Sequence, residues 1–232
     1  MGVARRAAGD HPGGVRALQI LRERAEAASA GVERGVTAIL AGETSTAALA
    51  RAAAHAYAAL DDAGGRARSL LFTPACSAGC SYCCHVHVEA TVPEILAVVL
   101  HLEDMRTRDE IEALRERLAV QVQRTSPLSD EERWEARIPC ALLGDDGRCS
   151  VYAARPLRCR AFHSCSVDPC REAFSGQPGV AAVPSPVLER AHDAVEDGYD
   201  RALLAAGLSV QGQRLEAGLL AALDACYHAA PR

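Results

Sequence analysis

The chain has 232 residues, of which 49% are hydrophobic and only 4% aromatic, and its formal net charge is −5. This length suits one domain with helical extensions or two small domains. Nucleic-acid binding favours a basic face with interleaved aromatic residues, and this acidic chain shows no such pattern. No apolar run approaches the roughly 18 residues of a membrane span. We therefore expect neither nucleic acid nor a membrane as a partner.

The first 65 residues are predicted to be a tail followed by a helical pair. Residues 1–14 are rich in glycine and arginine, which is typical of a disordered tail, and they lack the apolar segment of an export signal. From Val15 to about Ala41, apolar residues recur at three- and four-residue steps, and Gly42 is expected to end this helix. A second helix follows and is expected to end near Leu60.

A short strand is predicted from Cys84 to Ala90, because polar and apolar residues alternate there. His85, His87 and Glu89 would share one face of this strand. Such a face is either a polar surface towards solvent or a catalytic or second metal site beside the cysteines. The residues alone leave both interpretations open, and they identify no catalytic residue.

Further short elements follow this strand. Capping boxes at Thr91 and Ser129 predict two helix starts, and an amphipathic helix is predicted from Arg108 to Arg124. The segment Cys140–Cys149 is predicted to be a hairpin, and Pro156 is expected to open a short helix.

The predicted fold class is mainly α, with a small irregular α+β Cys-rich metal-binding core and helical hairpins flanking it at both ends. The expected domains are a disordered tail at 1–14, an N-terminal helical pair at 15–65, a cysteine-cluster metal-binding domain at 66–175, a linker at 176–186 and a C-terminal helical pair at 187–232.

Nine of the ten cysteines lie between Cys76 and Cys170. Thiols gathered this densely bind a soft metal, hold an iron–sulfur cluster or form disulfides. Because the sequence shows no export signal, we expect a cytoplasmic protein whose thiols stay reduced, and there a cysteine cluster favours metal. Disulfide or redox-relay use and unliganded cysteines are the alternatives.

The spacing of the first cysteines fits both a zinc knuckle and an iron–sulfur cluster, so spacing alone does not choose the metal. Cys83 and Cys84 are adjacent, and neighbouring side chains of an extended segment point to opposite faces. One of them is therefore expected to bind a first centre, while the other binds a second centre, bridges two metals or packs. We expect zinc or iron, with a [4Fe–4S] cluster as one form of the iron, in one or two metal centres.

The candidate metal ligands are Cys76, Cys80, Cys83, Cys84, Cys140, Cys149, Cys159 and Cys165. Additional candidates for ligands, or for side chains that hydrogen-bond to ligands, are Cys170, His163, His85, His87, Arg155 and Arg160. The arginines either face solvent or donate N–H groups to thiolates. Cys165 is preferred to Cys170 as the last ligand, because it is nearer to the Arg-Pro block.

Two resemblances follow from these motifs. The stretch Cys76-x3-Cys80-x-Tyr-Cys83 fits the radical-SAM pattern, but that fold needs a long run of βα units, whereas the downstream chain is predicted to be mainly helical. The fuller match adds Cys84, then Cys140-Ala-Leu-Leu, then Gly147-Arg-Cys149-Ser-Val-Tyr152, then Arg155-Pro156-Leu-Arg-Cys159-Arg160. With these motifs in order, the chain resembles the YkgJ-type cysteine-cluster family, described as a "putative zinc- or iron-chelating domain", over about residues 72–165.

The resemblance implies a metal-binding domain in a bacterial-type protein. A similar cysteine signature in flagellin lysine methylases implies an iron–sulfur role in some relatives. Three other functions stay open: an Fe–S-dependent enzyme that modifies protein or peptide, a metal-trafficking or sensing protein that docks a protein partner on its helical flanks, and a thiol redox protein. Whether the chain is an enzyme is not decided by the sequence.

Overall fold

A computed structural model describes residues 12–68 and 74–228. Most of the expected N-terminal tail lies outside these residues, and the first helix begins at Pro12. The elements in chain order are α1 (Pro12–Leu40), α2 (Thr46–Arg68), a 3-10 helix (Tyr82–His85), β1 (Glu89–Ala90), α3 (Val92–Met105), α4 (Arg108–Thr125), α5 (Asp130–Glu135), a 3-10 helix (Tyr152–Ala154), α6 (Leu157–Ala161), α7 (Asp168–Phe174), α8 (Pro186–Ala205), β2 (Gln213–Arg214) and α9 (Leu215–His228).

Helices α1, α2 and α8 pack around one hydrophobic core. Val36, Tyr199 and Leu203 are among its buried residues. Gly198 of α8 allows the two long helices to approach closely, because a methyl group at this position would overlap the backbone carbonyl of Ser29 in α1. This core supports the cysteine segment from one side, since Leu157 of α6 belongs to it.

Helices α3, α4 and α9 pack around a second core. Leu102, Leu118 and Leu219 are buried there, and Leu142 and Val151 from the cysteine segment join them. The cysteine-rich loops are thus held between two helical groups. Helix α8 packs with the N-terminal helices, while α9 packs with the central ones.

The prediction of a strand from Cys84 to Ala90 is wrong for most of that segment. The backbone N–H of Cys84 donates to the carbonyl of Ser81 at 2.9 Å, which closes a 3-10 turn in place of extended chain. Only Glu89–Ala90 forms a strand, paired antiparallel with β2 so that Glu89 faces Arg214. His85 therefore does not share a strand face with His87 and Glu89.

The remaining elements agree well with their local signals. The capping boxes at Thr91 and Ser129 both form, and Gly42 follows α1 with a φ of 74°. The second helix runs on to Arg68, however, because its Gly64–Gly65 pair adopts helical geometry. Helix α7 and strand β2 were not predicted.

The predicted fold class, mainly α with a small α+β part, is confirmed. Within 12–68 and 74–228, no helix has the length and apolar character needed to cross a membrane.

Candidate metal centre

Six cysteines line one enclosed cavity of about 60 Å³ between the two helical groups. A water molecule needs about 10–15 Å³ of such volume, so the space suits one or a few small groups. Apolar side chains, including Val86 and Leu142, complete the wall, and Arg155 brings a positive charge to it. The six cysteines are Cys80, Cys83, Cys84, Cys140, Cys149 and Cys159.

Local structure explains how distant cysteines reach this cavity. The backbone N–H of Cys140 donates to the carbonyl of Cys84 at 2.7 Å, which fixes the hairpin against the first cysteine loop. A single antiparallel bridge joins Leu143 to Cys149, and Gly147 makes the turn between them with a φ of 73°. Helix α6 then carries Cys159 into the wall.

Backbone groups near several of the sulfur atoms favour their charged form. The backbone amides of Tyr82, Leu142 and Val151, each two residues further along the chain, lower the pKa of Cys80, Cys140 and Cys149 respectively. An N–H group near a sulfur atom lowers the pKa of the thiol, because it stabilises the charged thiolate. This donor arrangement suits thiolates that are ligands of a cation.

Burial acts in the opposite direction on the same thiols. It raises the pKa of Cys140 to about 12, with the negative charge of Glu216 as the next cause. It also raises the pKa of Cys159, and the neighbouring Cys140 and Cys149 add to that rise. These thiols are therefore neutral near pH 7 without a cation, and metal binding would release their protons.

Cys83 and Cys84 behave differently from one another. The Cys84 thiol lowers the pKa of Cys83 to about 7, while the pKa of Cys84 is raised. The positive charge of Arg155 also lowers the pKa of Cys83 and of Cys149. Arg160 lies elsewhere, in an ion pair of 2.5 Å with Asp61.

A second group of cysteines adjoins the cavity. The backbone N–H of Ser164 donates to the Cys76 sulfur at 3.2 Å. Burial raises the pKa of Cys76, and the charges of Cys80, Cys83 and Cys170 raise it further. Cys170 raises the pKa of Cys80 as well. Cys76 and Cys80 therefore lie within electrostatic reach of each other and of both Cys83 and Cys170.

An aromatic cluster fixes the helix that carries Cys170. The ring of Phe174, at the end of α7, lies 5.5 Å from Tyr82, 4.7 Å from His85 and 5.6 Å from Trp134, in edge-on contacts. The guanidinium of Arg137 stacks over Phe174 at 4.8 Å. Helix α7 thereby packs against the 3-10 helix of Cys83 and Cys84.

The histidines and Cys165 have other contacts. His163 accepts a hydrogen bond of 2.7 Å from the backbone N–H of Ser185 at Nε2, and its Nδ1 lies 2.6 Å from the carbonyl of Ala161. His85 directs Nδ1 at the carbonyl of Ser81 at 3.1 Å. The backbone N–H of Cys165 donates to Val183.

His87 belongs to a separate, larger cleft of about 530 Å³, which Glu89 also lines. Its Nδ1 lies 3.0 Å from a guanidinium nitrogen of Arg133 and accepts from it, which places the ring proton on Nε2. Burial and the positive charge of Arg133 lower the pKa of His87.

The cysteines fit a thiophilic metal by their chemistry. Across the described ranges all of the cysteines are free thiols, and no three His, Cys, Asp or Glu side chains stand in an arrangement that already holds a metal ion. Closing a site thus requires the sulfur atoms to deprotonate and converge. The N–H donors and Arg155 supply what the resulting negative charge needs.

Sequence reasoning missed the helix of Cys170 and the aromatic cluster that holds it. The signal available was Asp168-Pro169, a helix start with proline in the first turn.

Comparison with known families agrees with this site. Residues 75–178 match the family model described as "CxxCxxCC: Putative zinc- or iron-chelating domain". No curated protein and no solved structure gives a match to the chain. The cysteine-cluster family indicated by the motifs is therefore confirmed for residues 75–178, a segment that holds nine of the ten cysteines.

Proposed function

We propose that this chain is a cytoplasmic metal-binding protein of the YkgJ type, whose domain at residues 66–175 binds zinc or iron through cysteine thiolates. The observation that carries the proposal is the cavity with six cysteines in its wall, to which Arg155 adds a positive charge. The match of residues 75–178 to a zinc- or iron-chelating family supports it.

The metal would contribute to folding as well as occupy a site. The cavity wall comes from three separate stretches of chain around Cys83, Cys149 and Cys159. A cation that binds all three stretches at once stabilises the folded state, because an unfolded chain offers no such preformed site. A thiolate zinc site of this kind is structural, since every ligand position is filled by protein.

Metal analysis and an ultraviolet–visible spectrum of protein purified without oxygen test this function. Zinc with no visible band indicates a thiolate zinc site, and iron with acid-labile sulfide and a broad band near ~400 nm indicates an iron–sulfur centre. Protein that contains neither metal, and takes up neither after reduction and reloading, would contradict the proposal.

A second candidate function, a cluster-dependent enzyme, is favoured by the cleft beside the cysteine cavity. Glu94 connects the cleft to the cysteine cavity. It lines the cleft, and it accepts a hydrogen bond of 2.8 Å from the backbone N–H of Leu157, at the start of the helix α6 that carries Cys159. Glu196 and Asp200 give the cleft an acidic wall. Such a wall suits a substrate with a positively charged amine or guanidinium group.

Thermal unfolding with small cationic compounds tests this second candidate. We expect an alkylamine or an arginine ester to raise Tm for the wild-type protein and to have a smaller effect on Asp200→Asn. Equal Tm shifts for both proteins, or none for either, would remove the cleft as a substrate site.

A further inference from the structure

We propose that eight cysteines form two separate four-thiolate metal centres, and that Cys170 on α7 completes the first of them. The first centre consists of Cys76, Cys80, Cys83 and Cys170, and the second of Cys84, Cys140, Cys149 and Cys159. The inference rests on the proposed metal-binding function and extends it to the number of sites and their ligands.

The second centre follows from the cavity wall. Cys140 is tied to Cys84 by the backbone hydrogen bond of 2.7 Å, and the hairpin bridge brings Cys149 to the same wall. Cys159 enters from α6. These cysteines are four thiolates, which is the full ligand number of a closed tetrahedral zinc site.

The first centre follows from the contacts of the Ser164–Ser166 loop. The backbone N–H of Ser164 donates to Cys76 at 3.2 Å, and the Ser164 hydroxyl donates to the carbonyl of Ser166 at 2.7 Å. The Cys170 thiol lies 3.9 Å from that same carbonyl. One short loop therefore connects Cys76 with Cys170, and the N–H of Cys80 donates to the carbonyl of Ser77 at 3.0 Å, which keeps Cys80 in the same turn as Cys76.

Cys83 is assigned to the first centre for two reasons. Without it the first group has three thiols, whereas the second group already has four. Its neighbour Cys84 is assigned to the second group, because the carbonyl of Cys84 accepts the backbone hydrogen bond of 2.7 Å from Cys140. The pair would thus mark the boundary between the centres.

Aromatic contacts hold helix α7, and with it Cys170, beside the first centre. Phe174 inserts between Tyr82, His85 and Trp134, and Arg137 covers it. The matched family segment also extends to residue 178, so it includes α7 and Cys170. We therefore describe Phe174 as a positioning residue for the first centre.

Zinc stoichiometry of matched variants tests the division. Each full-length protein is stripped of metal under reducing conditions and reloaded with Zn²⁺ alone. The zinc that survives a competing chelator is then counted per chain. We expect two zinc ions for wild type and for the control Cys165→Ser, and one for Cys170→Ser and for Cys149→Ser. Circular dichroism verifies that each variant keeps its helices.

Two further measurements keep all eight thiols in place. Phe174→Ala is expected to release one zinc ion to the chelator faster than wild type and to retain the other. In zinc-loaded wild type, alkylation with mass spectrometry is expected to modify Cys165 and the exposed Cys226 while Cys170 stays protected.

Different outcomes would overturn the metal-binding function and the division into two centres. Wild-type protein that retains no zinc after reloading, and that contains no iron when purified without oxygen, would overturn the proposed function and this division with it. Wild-type protein that retains zinc, together with an unchanged count in Cys170→Ser or rapid alkylation of Cys170, would overturn the division alone. Loss of one zinc from Cys165→Ser would also overturn it, because that result assigns the last ligand to Cys165.

Discussion

The buried ion pair between Arg133 and Glu216 is the first feature that we would perturb. Its side chains are 2% and 7% exposed, and two hydrogen bonds of 2.6 and 3.0 Å join them. Glu216 also accepts from the backbone N–H of Ala141 at 3.0 Å. The pair thus connects α5 and α9 to the residue that follows Cys140.

Glu216→Gln should cost about 3–5 kcal/mol of the free energy of unfolding, because it leaves the guanidinium of Arg133 buried without a counter-charge. Such a loss is a large part of the roughly 5–15 kcal/mol of a typical domain. In the double variant Arg133→Met/Glu216→Gln the unpaired charge is absent, and we expect a cost well below the sum of the two single variants.

Urea unfolding of the metal-free protein, followed by circular dichroism, measures these costs. Glu26→Gln is the matched control, because it breaks an ion pair with Arg22 whose side chains are 62% and 77% exposed. An exposed pair contributes about 0–1 kcal/mol. If Glu216→Gln costs no more than this control, or if the single costs add in the double variant, the account of the pair is wrong.

Two further predictions concern the helices. Gly198→Ala in α8 should cost about 1–3 kcal/mol, because its methyl group meets the Ser29 carbonyl. Gly31→Ala in α1 meets nothing within 4 Å and should gain about 0.5–1 kcal/mol, so equal urea midpoints for the two variants would contradict both predictions. Burial and the charge of Glu196 raise the pKa of Asp200 to about 6, so the folded state binds this proton more tightly and stability falls as pH rises from about 4 to 6. Asp200→Asn should flatten that part of the pH profile, and an unchanged slope would rule out this origin.

Elements with local signals were predictable from the sequence. The capping box at Thr91, for example, needs only Thr91 and Glu94, which are three residues apart in the chain. Helix α4 was predicted at Arg108–Arg124 and ends one residue later, because its apolar face repeats at helical spacing.

Elements that depend on distant partners were not predictable. Strand β2 exists because Gln213 and Arg214 pair with β1, more than a hundred residues earlier in the chain. The short strand length follows from the 3-10 turn at Cys84, which overrides a clear alternating pattern.

In the candidate site, too, local signals were predictable and contacts between distant residues were not. Cysteine spacing indicated a metal domain, and the family match agrees. The preference for Cys165 over Cys170 used distance along the chain, and it stays a prediction. Cysteine spacing does not predict that the ring of Phe174 packs against Tyr82, and this contact brings Cys170 towards Cys76.

X-ray absorption spectroscopy at the metal edge tests the central claim most directly. The account predicts, for zinc-loaded protein, a first shell of four sulfur atoms at about 2.3 Å and no nitrogen or oxygen neighbours. A first shell dominated by nitrogen or oxygen would contradict a thiolate centre built from these cysteines.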